Sequence, residues 1–269
     1  MIAGADRIAE FRRLHDHGCF VMPNPWDVGS ARALAAMGFE ALATTSAGSA
    51  WAMGRPDNTV GLAETLAHMR LIAGAVDLPV NADFQNGYAE LPEDVAANVG
   101  LAVQTGVAGL SIEDFSGDPT DPLLDFDLAV DRIRAARTAI DDSGSGVVLT
   151  ARSEGFVWDR PDLDETVRRL RAYAEAGADC LYAPWVTSQD HVSAIVAGVA
   201  PKPVNLLIHR PFTTVAEAAS LGVRRISVGG MLAKTAWHGF LDAAAEIAGQ
   251  GTFSAFVDLP DLNTLLARS

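Results

Sequence analysis

Lysine is almost missing from this 269-residue chain: only Lys202 and Lys234 are present. A Schiff-base mechanism needs an amine at the reactive end of a strand. Lys202 precedes a strand-like run and Lys234 lies in a helical stretch after one, so neither fits that chemistry. Cysteine is as scarce. Cys19 and Cys180 fall in strand-like runs, which reads as packing in a reducing compartment and not as a disulfide or a nucleophile. No apolar run reaches the ~18 residues of a membrane-spanning helix. The opening segment MIAGADRIAEFRRLHDHG has no signal pattern and reads as an amphipathic helix, so a cytoplasmic location is expected. Runs of basic residues are missing too, and the net charge is −14. That balance argues against nucleic acid and membranes as partners. An anionic small-molecule substrate stays admissible, because a metal and one arginine reverse the field inside a single pocket.

What the chain has in abundance is alternation. Apolar residues make up 49% of it, enough for a large core. Eight β-rich runs lie at 19–24, 40–45, 79–84, 108–114, 146–152, 179–185, 203–208 and 224–230. Between them come amphipathic helical stretches, such as 92–106, with Pro92 at its start and Gly106 at its stop. Eight such units are the count for a closed parallel (β/α)8 barrel of TIM type, an α/β fold. A doubly wound open sheet is the runner-up, but no glycine-rich dinucleotide fingerprint follows any strand. One domain is expected: a catalytic barrel over 1–249 and a helical appendage over 250–269. The appendage follows a Gly-Gln-Gly break at 249–251 and has little of its own to pack on, so packing across a subunit boundary is expected.

Reacting groups in such a barrel sit where strands end. The polar residues there are Asn24 and Asp27, then Thr44, Thr45 and Ser46, then Asn81 and Asp83, Glu113 and Asp114, Arg152 and Glu154, and Asn205, with Trp185 ending strand six. Asp83 and Glu113 end neighbouring strands, which lie ~4.8 Å apart, so both carboxylates can reach one hard cation. Asn81 shares a face with Asp83. An all-oxygen set suits Mg2+, or Mn2+, and not zinc. Equally open is a purely structural role, as helix caps or arginine partners. Arg152 can grip a substrate carboxylate in a fork, or pair with Glu113 or Glu154. The small residues of 44–58 can offer backbone N–H groups to an anion, and Asp57 either caps the helix beginning near Gly61 or swings onto substrate. His209 alone among the histidines falls near the expected active face, where a surface or capping role is the simpler reading.

The segments NADFQNGY (81–88), GLSIED (109–114) and TARSEGF (150–156), in that order, resemble the isocitrate lyase/phosphoenolpyruvate mutase superfamily. So do PNPWDVGSARAL (23–34), ATTSAGSAWAMGRPD (43–57), EAGADCLYAPW (175–185) and RISVGG (225–230). The resemblance spans roughly residues 8–248. It implies an enzyme that binds Mg2+ and a small 2-oxo acid and breaks or forms a bond beside the oxo group through an enolate. By resemblance, Asp83 and Glu113, with Asn81, hold the metal, and Arg152 contacts substrate. Thr45, Ser46, Ala47 and Gly48 cradle its anionic group, and Asp57 belongs to a mobile loop. Asn205 is a further substrate-binding candidate, and Tyr88, Asp57 and Asp114 are candidates for moving the proton. Homotetramers, as dimers of dimers exchanging a late helix, are also implied.

Two departures matter. Asn81 replaces an aspartate common in the family. The loop at 115–127, FSGDPTDPLLDFD, has neither the Lys-Lys-Cys-Gly-His segment of the lyases nor the Lys and Asn of the mutase pattern. A lyase or hydrolase cleaving a C–C bond next to a 2-oxo acid is the leading reading. The alternatives are phosphonopyruvate-type P–C chemistry and a non-catalytic oxo-acid-binding protein.

Overall fold

The structure, a computed structural model, describes residues 4–267. Eight parallel strands form one sheet: β1 Phe20–Met22, β2 Leu42–Ala43, β3 Val80–Asp83, β4 Gly109–Glu113, β5 Val148–Arg152, β6 Cys180–Tyr182, β7 Val204–Leu207 and β8 Arg225–Ser227. Their order runs β1-β8-β7-β6-β5-β4-β3-β2. The gap between β1 and β2 is bridged where Ala43 N–H donates to Pro23 O at 3.0 Å. The Asn24 side chain rivets the same seam, accepting from Val228 and Gly229 N–H and donating to Thr44 O. All eight expected strands are present, each shorter than its apolar run. The run ends belong to the loops that carry the strand-end side chains.

Period-two alternation sorts each strand into two faces. Outward residues such as Val80, Ala82, Leu110, Ile112, Leu149 and Ala151 meet the surrounding helices in the main core. Those helices are α2 Val28–Ala36, α3 Ser46–Ala52, α4 Leu62–Ala75, α5 Pro92–Ala102, α6 Phe126–Asp142, α7 Leu163–Glu175, α8 Gln189–Val199, α9 Val215–Ser220 and α10 Met231–Gln250. α5 starts at Pro92 as read. It tightens into a 3-10 turn at Val103–Thr105 and stops at Gly106, whose φ of 88° suits glycine.

The other end of the barrel is plugged by α1, Gly4–Leu14. Residues 1–3 of the expected N-terminal helix lie outside the described residues, as do 268–269 of the final one. Phe11 is fully buried among Phe20, Met22, Ala108 and Val148. A Cβ on Gly109 would stand 2.6 Å from Phe11 Cε1, so only glycine allows the plug to seat. His15 follows the helix. Its Nδ1 lies 2.7 Å from Phe11 O, which assigns the proton there and leaves Nε2 to accept from Arg225 Nη1 at 3.3 Å. Burial and the Arg225 charge push the His15 pKa down to about 3, so it is a neutral acceptor.

α10 leaves the barrel. Of its twenty residues only Ala233 is buried, and Trp237, Phe240, Leu241 and Ile247 are exposed. The helix runs through Gln250 and ends on Gly251 in the left-handed region, so the chain breaks at the second glycine of the Gly-Gln-Gly motif. A final helix, α11 Leu262–Leu266, returns to pack on α2. No helix among the described residues is long and apolar enough to cross a membrane.

Candidate active site

On β3, Asn81 pairs in register with Gly109 of β4, and Asp83 with Ser111. On β4, Glu113 pairs with Arg152 of β5. The inward faces of three adjacent strands therefore carry Asp83, Glu113 and Arg152, all at the end where the strands finish. The Arg152 guanidinium sits among them. Nη1 lies 2.8 Å from Asp83 Oδ1, Nη2 2.9 Å from Glu113 Oε2, and Nε 3.0 Å from Glu154 Oε1. Its carbon lies 5.2 Å from the centroid of the Tyr182 ring. Asp83 is held from the β2 side as well: Ser46 N–H donates to Oδ2, and Asp83 N–H donates to Thr44 Oγ1.

One guanidinium thus faces three carboxylates, all largely buried, and the sum is −2 if every group is ionised. Burial raises the Glu113 pKa well above the carboxylate range. Arg152 opposes this, while Glu154 and Asp83 add to it. Burial likewise pushes Glu154 up to about 6 against the pull of Arg152. Burial works against the Arg152 charge, but Glu113, Glu154 and Asp83 outweigh it and keep the group charged. Tyr182 is pushed up to about 12 by burial and stays protonated.

This excess of negative charge fits a hard divalent cation. The donors are oxygens, as Mg2+ prefers, and Asn81 Oδ1 is buried on the same face with no hydrogen-bond partner among the described residues. Among the described residues no three His, Cys, Asp or Glu side chains converge as a ready cage. The set is two carboxylates and one amide, with Arg152 bridging the carboxylates. Mg2+ is commonly held by one or two carboxylates with water completing its shell.

The side chains open into a cavity of about 370 Å³ at the strand ends. Thr45, Ser46, Ala47, Asp57, Asn81, Asp83, Glu113, Arg152 and Asn205 all line it. Several of them are already engaged. Ser46 N–H is taken by Asp83, and Thr45 Oγ1 caps α3 by accepting from Gly48 N–H. Asn205 accepts from Arg225 and donates to Ser227 Oγ. Asp57 stands at the rim, its pKa raised by desolvation and by the Asp83 charge. It does not cap α4: the N-cap is Gly61, whose N–H donates to Glu64 Oε2 at 3.3 Å.

Three candidates are not brought to the cavity. Gly48 is wedged behind it, where a Cβ would meet Trp26 at 2.9 Å. Tyr88 adopts φ 57°, which turns its hydroxyl onto Thr65 Oγ1 at 2.7 Å in a side cavity of about 10 Å³. Asp114 is spent on structure: it accepts from Tyr173 Oη, Arg169 Nη1 and Glu154 N–H. That last bond orients the backbone carrying Glu154.

Sequence reasoning passed over Arg225. It is 1% exposed, lines the cavity floor and has no carboxylate partner among the described residues, its donors going to Asn205, Thr150 and His15. It also passed over Arg132, whose guanidinium donates to Glu113 O, Asn86 O and Ala89 O, tying the turn after β3 to the end of β4. The only available signal was an arginine inside an apolar period. The 115–127 loop folds on itself through Phe115–Leu123 bridging and Ser116 hydrogen bonds, and it offers the cavity only the Phe115 ring.

A closed parallel barrel with acidic and basic side chains crowded at its strand ends defines a class of barrel enzymes. Residues 11–248 match the family model for phosphoenolpyruvate phosphomutase, and the chain belongs to that family, within the isocitrate lyase/phosphoenolpyruvate mutase superfamily. The uncharacterized protein Rv1998c of Mycobacterium tuberculosis is 34% identical over 81% of this chain and 81% of its own. The structure of a candidate lyase/mutase from Burkholderia cenocepacia J2315 superposes with a TM-score of 0.95 at 43% identity, covering 98% of this chain and 97% of that one. The 2,3-dimethylmalate lyase structure, from the same superfamily, gives 0.86 at 28% identity over 100% and 95% of the two chains. The expected superfamily and barrel are both borne out.

Proposed function

We propose that this chain is a Mg2+-dependent lyase or hydrolase that cleaves a carbon–carbon bond beside the oxo group of a small 2-oxo acid. The observation that carries the reading is the convergence of Asp83, Glu113 and Glu154 on Arg152, with Asn81 Oδ1 left partnerless on the same face. Asp83, Glu113 and Asn81 would hold the ion, directly or through water. When bound, Mg2+ (or Mn2+) supplies the positive charge that stabilises an enolate as the neighbouring bond breaks. Arg152 uses three of its five N–H donors on carboxylates, and the remaining two can take a substrate carboxylate. Ala47, at the N-terminal turn of α3, lines the same wall. Of the candidates for moving a proton, Asp57 alone lines the cavity, and its raised pKa suits a group that both gives and takes a proton.

We assign the catalytic unit to residues 1–249 and treat 250–269 as an appendage. The exposed Trp237, Phe240, Leu241 and Ile247 of α10, continued by Phe253 and Phe256, form an apolar stretch too long to leave in water. That stretch supports a homo-oligomer, a tetramer built as a dimer of dimers, in which α10 packs on a neighbouring copy. We place the protein in the cytoplasm.

The test is product analysis with Mg2+ over a panel of 2-oxo and 2-hydroxy acids. Cleavage to a 2-oxo acid or an oxalate-type product, lost in Asp83→Ala with folding intact, is expected. Phosphate or phosphoenolpyruvate from phosphonopyruvate would favour the P–C reading, which the family's own description keeps in view. Cation-dependent binding with no turnover of any acid would make the protein a binder.

A further inference from the structure

Beyond the charged cluster, much of the cavity wall is built of rings. Phe115 stacks on Trp158 with centroids 4.5 Å apart, and Trp185 stacks on His209 at 4.8 Å. Trp51 carries the Lys234 ammonium 5.4 Å from its ring centroid. All six residues line the cavity, and they come from the segments that follow six different strands. The Trp51–Lys234 contact is set by backbone packing. A Cβ on Gly230 would lie 2.9 Å from Trp51 Cη2, and one on Gly48 would lie 3.4 Å from Ala233 Cβ, so α3 and the start of α10 touch directly.

Lys234 Nζ has no ion pair or hydrogen bond among the described residues, in a chain with 34 acidic side chains. His209 is not a second cation there: partial burial, then Arg210 and Lys234, hold its pKa below the usual histidine value. Two further observations point to a ligand site here. Trp158 Nε1 and His209 Nδ1 are buried without a hydrogen-bond partner among the described residues. Trp185 is held at φ 66°, a conformation that large side chains rarely adopt and that tends to mark functional positions.

We propose that Lys234 is a specificity-determining residue: its ammonium receives a second anionic group, at the end of the substrate remote from the carboxylate beside Arg152. The carbons between the two anions would run past the Trp158, Trp185 and Trp51 rings. The substrate class is then a linear, dianionic 2-oxo acid with a distal carboxylate. This rests on the proposed function for the Arg152 end, and adds to it the residue that reads the far end. Among the described residues, the only other Lys or Arg side chains lining the cavity are Arg152 and Arg225, and Arg225 is tied up at the floor.

The test uses calorimetric binding to the full chain with Mg2+ present. The probes are 2-oxoglutarate against 2-oxopentanoate, 2-oxoadipate against 2-oxohexanoate, and oxalate. Each pair matches in carbon count and differs only in the distal carboxylate. The protein should prefer the diacid of at least one pair by about tenfold or more, the order expected for one charge-assisted hydrogen bond. Lys234→Met keeps the aliphatic stem over Trp51 and should erase that preference, whereas Lys234→Arg should keep most of it. Oxalate reaches only the Arg152 end, so its affinity should not follow the Lys234 substitutions. Equal binding of diacid and monoacid by the unmodified protein, or a preference that survives in Lys234→Met, overturns the proposal while oxalate binding still supports the function. Failure of oxalate itself to bind with Mg2+ removes the underlying reading and this proposal with it.

Discussion

Arg152 is the single positive charge inside the acidic cluster, so its removal has a cost that can be reasoned from the structure. In Arg152→Met the stem volume is kept and the three contacts of 2.8, 2.9 and 3.0 Å are lost. Breaking a buried ion pair by removing one partner costs about 3–5 kcal/mol, because the remaining charge is stranded. For a chain of this size each kcal/mol moves the melting temperature by about 2–4 °C, giving a fall of about 6–20 °C near neutral pH. The loss should depend on pH, with a definite sign. Glu113 and Glu154 already have folded-state pKa values above the unfolded value of 4.5, the latter about 6. Groups shifted this way weaken the fold as pH rises through that window, since they must give up protons that the folded state holds more tightly. Without Arg152 both shifts grow. The variant should therefore lie closer to the unmodified protein near pH 5 than near pH 7.5, and Mg2+ should recover part of the gap at the higher pH. Differential scanning calorimetry at the two pH values, with and without Mg2+, measures this. Equal melting temperatures near pH 7.5, or a deficit that does not shrink on acidification, would refute the electrostatic account of the cluster.

Further expectations follow from neighbouring residues. Asp83→Asn keeps one oxygen, enough for Ser46 N–H or for Arg152 Nη1 but not for both, so the melting temperature without metal should fall, by less than in Arg152→Met. Turnover should fall by about 10²–10³-fold, and the Mg2+-induced shift should vanish. Asn24→Ala leaves Val228 and Gly229 N–H and Thr44 O unpaired at the β1–β2–β8 seam, which should cost about 3 kcal/mol in urea unfolding. Gly109→Ala drives a methyl to within 2.6 Å of Phe11 and 2.7 Å of Asn81 Oδ1, so it should destabilise by about 1–3 kcal/mol. Amide exchange in α1 should then speed up more than exchange in α5.

The barrel was legible because alternation of strand and helix is written in residue order, and the shared inward face of Asp83 and Glu113 because period two leaves one option once the strands are placed. Local geometry was not. Tyr88 looks like a cavity residue until its positive φ turns the ring onto Thr65. Ser46 N–H reads as an anion donor until the Asp83 side chain reaches it across the strands. Asn205 lies on a strand facing the cavity like a substrate ligand, yet it is held by Arg225 from the neighbouring strand. Lys234 was set aside as a helix residue in the wrong place for an imine. Its place beside Trp51 depends on Gly230 and Gly48 letting two helices touch, which residue spacing does not reveal.

The central claim is that Asp83, Glu113 and Asn81 anchor a divalent ion beside Arg152. Mn2+ titration followed by electron paramagnetic resonance tests it directly, because bound and free ion are counted separately. The account predicts one Mn2+ per chain, displaced by Mg2+, perturbed by oxalate and lost in Glu113→Ala and in Asp83→Asn. Undiminished Mn2+ binding in both variants, or none in the unmodified protein with oxalate present, would contradict it.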